Sequence, residues 1–219
     1  MPLPDTDLAA LELNTDIASA VAGLGQRREP KFALPANRFR AVKADDRAAR
    51  RGIRNFIQPG NALPVLEHLP EGPGDRTHCL LRGDFVLCDL IPAIIGVRGR
   101  CTHLRVATLG LSVANADALA CLVERGQIGE LTIVVSHYFA QVDKATVFRT
   151  VANRLAGIGR LSVTRSHAKV ICLPTARGDH FSIEGSANLR SSDNLEQMLI
   201  FNDVETHAFH AAWIDEIAA

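Results

Sequence analysis

Aromatic side chains are scarce in this 219-residue chain, at 5%, with a single Trp and a single Tyr. A surface that grips bases mainly by stacking them on successive rings needs more of these, so stacking is not expected to dominate any nucleic-acid contact. No run of about 18 apolar residues occurs, so no segment reads as membrane-spanning. The opening MPLPDTDLAA has neither a basic stretch nor a long apolar one. No secretory leader is therefore expected, and a cytoplasmic location is. Cysteine is sparse and odd in number, at positions 79, 88, 101, 121 and 172, with no C-x-x-C pair. That argues against a disulfide framework and against a zinc site. The five read as small buried apolar groups. Neither G-x-S-x-G nor a Walker loop is present, so an elbow-type serine hydrolase or a P-loop NTPase has no support. No internal repeat is visible.

Net charge is also missing, because 24 basic residues balance 24 acidic ones. The balance hides a separation. Residues 1–20 hold Asp5, Asp7, Glu12 and Asp16 and no base. Residues 27–54 hold ten bases, Arg50 and Arg51 among them, against three acids. Such a cluster can neutralise phosphates and release their counterions; equally, it can be a solvated arm.

The remainder has the makings of a globular fold. Leu8, Leu11, Ile17, Val21 and Leu24 recur near helical spacing over 7–24. Residues 26–75 are rich in Pro, Gly and Arg and read as an extension, with one short helix over 44–57. The turn-forming PEGPGDR at 70–76 reads as a boundary. Beyond it, apolar runs and amphipathic stretches alternate. Helices are expected near 89–96, 114–126 and 143–157, and strands at 102–112, 130–139 and 160–166. Three more strands follow in HAKVICL, HFSIEGS and EQMLIFN. A last helix, VETHAFHAAWIDEIAA, would bury Phe209, Trp213 and Ile217. This order predicts an α/β domain over 76–219 with a mixed, mostly parallel sheet flanked by helices, and an N-terminal helical and basic extension over 1–75. The turn TARGD adds an antiparallel hairpin.

The unusual polar groups lie between Ser166 and Gln197. His167 and Lys169 sit two apart, on one face of the expected strand. An imidazole beside an ammonium suits a phosphate better than a core: the cation lowers the His pKa and supplies a point charge. GSAN at 185–188 can place the Ser186 hydroxyl and the Asn188 amide near the same oxygens. Glu196, two residues after Asn194, can accept the other imidazole N–H.

H-x-K, then GSAN, then N-x-E, in this order and on strands, resembles the phospholipase D superfamily with its HKD motif, and is most similar to short single-motif bacterial endonucleases. The resemblance covers about 76–219, including EQMLIFND and the helix with a central Trp. There is also a similarity to phage or prophage proteins carrying a phospholipase D-like domain. The resemblance implies a homodimer whose active site forms across a two-fold axis. It implies that His167 forms a phosphohistidine, that Lys169, Ser186 and Asn188 hold phosphate oxygens, and that Glu196 orients His167. It implies no metal and no cofactor. Where the family has Asp five residues after the Lys, this chain has Pro174; Asp179, past the hairpin tip, is a replacement or plain turn chemistry.

Three other places bear on function. His137 and Tyr138, at the end of an expected central strand, are candidates to line a substrate path, or are a loop His and a packed Tyr. Ser112 or Asn115 can cap the helix that follows. His207 and His210, three apart, lack an evident third metal ligand. The expectation is a metal-independent phosphodiesterase, a nuclease acting on DNA, with a catalytically impaired nucleic-acid-binding or assembly protein as the alternative. A lipid phosphodiesterase is disfavoured, since neither a long interfacial helix nor a second motif is present.

Overall fold

The computed structural model describes residues 56–57, 62–81, 86–189 and 194–219. The helix expected over 7–24 and the basic arm with Arg50 and Arg51 lie outside the described residues. So does most of the short helix expected over 44–57, whose last two residues form strand β1 (Phe56–Ile57).

The remaining elements follow the expected alternation. They are α1 (Leu63–Leu66), β2 (Arg76–Leu81), α2 (Leu90–Arg98), β3 (Cys101–Thr108), α3 (Val113–Glu124), β4 (Ile128–Ser136), α4 (Ala145–Leu155), β5 (Arg160–Thr164), β6 (Val170–Pro174), β7 (His180–Gly185), β8 (Glu196–Asn202) and α5 (Val204–Ala218). Ser112 caps α3 reciprocally with Asn115, so this pair does ordinary capping work. Among the described residues no helix is long and apolar enough to cross a membrane.

One sheet runs in the order β1-β2-β8-β7-β6-β3-β4-β5. It is mixed, as expected, but not mostly parallel. The β3–β4, β4–β5 and β1–β2 pairs are parallel, whereas β2–β8, β8–β7, β7–β6 and β6–β3 are antiparallel. Parallel neighbours need a crossover of a dozen or more residues, which α3 and α4 supply. After β5 the links are too short for that, and the chain can only meander back.

Alternation along the strands sends residues to two faces. One face joins Val106, Ile133, Ile171, Ile183 and Ile200 to the apolar sides of α2, α3 and α4. The other joins Ala107, Val134, Val170 and Cys172 to Ile214 of α5. Cys79, Cys88, Cys101 and Cys172 are buried and Cys121 is half-buried. Residues before 76 contribute too: Val65 and Leu69 are part of the larger core.

Helix α5 does not bury the face expected of it. His207, His210 and Ile214 are buried, while Phe209 is 43% and Ile217 38% exposed. Paired polar groups make this possible. The His207 ring nitrogen Nδ1 lies 3.3 Å from the Phe181 carbonyl. Trp213 Nε1–H donates to His210 Nδ1 at 3.1 Å, which leaves the ring proton on Nε2, 2.8 Å from a Glu184 carboxylate oxygen. Arg105 clamps Asp215 through two bonds of 2.8 Å, tying α5 to β3.

Candidate active site

Strand β5 is the edge strand, yet its successor β6 lies beyond β4 and β3. The link of residues 165–169 must therefore cross about 14 Å, three strand spacings, over the ends of β4 and β3. Five residues manage this only when drawn out. This strap carries His167 and Lys169, so the two are not on a strand as expected; β6 begins at Val170. They meet nonetheless. Lys169 Nζ lies 2.9 Å from His167 Nδ1 and donates to the His167 carbonyl at 2.9 Å. An ammonium only donates, so Nδ1 accepts, and a neutral ring then holds its proton on Nε2. Partial burial lowers the Lys169 pKa, and the nearby Glu196 charge opposes that shift.

The same sheet edge gathers the other groups. β7 ends at Gly185 and β8 starts at Glu196. Gly185 N–H donates to the Lys169 carbonyl at 3.3 Å, and Ser186 N–H donates to the Gln197 carbonyl at 3.0 Å. A Cβ on Gly185 would stand 2.2 Å from the Gln197 oxygen, so only glycine lets the two strands approach here. Ser186 Oγ accepts from Gln197 N–H at 3.0 Å and donates its own proton to Glu196. Ala187 and Leu189 are buried, anchoring the turn on either side of Asn188. Asn188 Oδ1 accepts from Leu109 N–H at 3.1 Å, which ties the turn to the end of β3.

The five residues expected to do chemistry thus lie along one edge. The contacts differ in one respect from expectation. Glu196 is hydrogen-bonded to Ser186 rather than to His167, and His167 is held by Lys169. His137 and Tyr138 are brought to the same place. Together with Ser136, Arg165, Ser166 and His167 they line an open depression of about 380 Å³. Arg165 was not singled out in the sequence, although its place two residues before His167 is a usable signal. Asp179 lies at the other end of the β6–β7 hairpin. Its carboxylate accepts from Thr175 Oγ at 3.0 Å and from Asn202 Nδ2 at 2.9 Å, which is turn and strand-end chemistry. Among the described residues no group of three or more His, Cys, Asp or Glu is placed to hold a metal ion.

No family model and no curated protein sequence matches the chain. Solved structures do. The chain is similar to Nuc from Salmonella typhimurium, a phospholipase D family member, at 14% identity and a TM-score of 0.48, covering 65% of this chain and 94% of that one. It is similar to NucT from Helicobacter pylori at 17% identity and a TM-score of 0.46, covering 65% and 96%. It is also similar to yeast tyrosyl-DNA phosphodiesterase at 12% identity and a TM-score of 0.38, covering 57% of this chain and 32% of that one. These are likenesses of fold.

Proposed function

We propose that the chain is a phospholipase D-like phosphodiesterase, a nuclease that cleaves DNA without a metal through a phosphohistidine, in an active site shared by two copies. The observation that carries this is the His167–Lys169 contact set beside Ser186 and Glu196 on one open sheet edge. In the resting arrangement Lys169 occupies His167 Nδ1. An arriving phosphodiester competes for the ammonium, because an anionic oxygen accepts more strongly than an imidazole nitrogen. Release of Nδ1 lets the ring shift its proton there and present a bare Nε2 lone pair.

That lone pair attacks phosphorus, and the bond to the leaving oxygen breaks. His167 of the partner subunit gives that oxygen a proton. Water then attacks phosphorus, loses a proton to the same partner group, and the P–N bond breaks. One difficult displacement becomes two easier ones, with acid and base roles exchanged. Lys169 and the Asn188 amide offset charge on the non-bridging oxygens. The Ser186 hydroxyl donates its proton to Glu196 in the resting arrangement, so Ser186 joins them only when its hydroxyl turns from that carboxylate to a phosphate oxygen. A basic arm over 27–54 supplies a sequence-independent hold on the DNA backbone.

The test is cleavage in EDTA of single- and double-stranded DNA and of bis-p-nitrophenyl phosphate, by wild type and His167→Ala. Turnover by wild type alone, with DNA binding retained in both, is the expected result. The second reading, a binding or assembly protein that has lost the chemistry, is favoured by Pro174 at the family's Asp position and by the engagement of Asp179 in the distant hairpin. Salt-dependent DNA binding by both forms with turnover by neither would select it.

A further inference from the structure

The one tyrosine of the chain stands in the depression beside His167 and is 51% exposed. An aromatic ring half-exposed beside the candidate reactive group has a face that a ligand can reach. Its backbone is held: Ser136 Oγ, buried at the end of β4, accepts from Tyr138 N–H at 3.2 Å. Across the depression, Arg165 leads into the strap that carries His167 and Lys169, so three cationic or proton-bearing groups follow at two-residue spacing. Arginine meets phosphate oxygens through a planar fork, and an exposed phenol ring meets the flat face of a base.

We propose that Tyr138 stacks one base adjacent to the scissile phosphate while Arg165 holds a neighbouring phosphate, so that the site selects an unpaired nucleotide. The proposal rests on the reading of His167 as the group that attacks phosphorus. In a duplex both faces of a base are covered by its neighbours, and withdrawing it costs a few kcal/mol. A single strand offers the face at once. One ring serving one base also agrees with a chain so poor in aromatics: the composition speaks against a stacking row, not against a single stacking post.

The experiment uses three forms of the full chain: wild type, Tyr138→Phe and Tyr138→Ala. The substrates are a single-stranded oligonucleotide, its duplex, and the same single strand with an abasic residue placed next to the mapped cleavage site. Binding and cleavage are both measured. Stacking of one base is worth about 1–3 kcal/mol, so Tyr138→Ala should lose roughly 5- to 150-fold on the intact single strand. It should lose little on the abasic strand, and Tyr138→Phe should behave as wild type. An equal loss on intact and abasic strands, or none on either, overturns the proposal. If wild type cleaves nothing, bis-p-nitrophenyl phosphate included, the phosphodiesterase reading fails by itself. Binding of the intact single strand and of a fully abasic strand by wild type and Tyr138→Ala, which needs no mapped site, then still decides whether Tyr138 stacks a base.

Discussion

At the scale of single residues, Asn188 joins a contact that holds the fold to the phosphate-binding role proposed for it. Its oxygen receives the Leu109 N–H, and that leaves its amide hydrogens for a ligand. Asn188→Ala strands the Leu109 N–H and is expected to destabilise the fold by about 1–3 kcal/mol. Asn188→Asp keeps an acceptor for that N–H but exchanges a donor for a negative charge on the phosphate side. It should melt near wild type and lose most of its phosphodiester turnover. Thermal unfolding and bis-p-nitrophenyl phosphate assays on the two variants check both halves; equal melting temperatures for Ala and wild type would refute the structural role. The cysteines are simpler. Burial pushes the thiols of Cys79, Cys88, Cys101 and Cys172 up to about 12, so they behave as apolar filling and not as nucleophiles.

Among elements, those with strong periodicity were legible. The helix read over 114–126 is Val113–Glu124, and the hairpin at TARGD closes β6 on β7 through Gly178 at φ 92°. Two features were not. HAKVICL looks like one strand, because nothing in its apolar run reveals that residues 165–169 are consumed in crossing two strand ends. Residue types and order therefore point to the site, while the geometry that joins His167 to Lys169 is that of a strap. The buried face of α5 is not legible because histidine counts as polar, and the partners Phe181, Glu184 and Trp213 make His207 and His210 suitable for burial. The same helix depends on an ion pair. Hydrogen bonding to Arg105 holds the Asp215 pKa below its ordinary 3.8. A lowered carboxylate pKa contributes stability that is present above 3.8 and is lost as pH falls through the folded value. Asp215→Asn should thus lower the melting temperature at neutral pH, by an amount corresponding to about 1 kcal/mol or less, and the gap between variant and wild type should close as pH falls through the folded value. A gap that is independent of pH would show that packing, not charge, ties α5 to the sheet.

For the molecule as a whole, the decisive fact is that the strands β2 to β8 all have an end at one edge, and that this edge holds the single H-x-K of the chain. A two-histidine mechanism then requires two copies. The expected solution mass is twice 23.7 kDa. Adding a large excess of His167→Ala to wild type should lower the activity per wild-type chain, since mixed pairs lack one of the two imidazoles. Unchanged activity would mean that each chain works alone. Long-range closure also has a bearing on how the chain is made. Strand β2 is completed by β8, with Arg76 opposite Phe201. A growing polypeptide that has already emerged beyond Lys169 owns its histidine and its lysine, yet it has no Glu196 to receive Ser186 and no second neighbour for β2. Domains form as their last contacts become available during synthesis. Translation products that stop short of β8 are therefore left with an unfinished sheet, and with His167 and Lys169 but no Glu196 beside them.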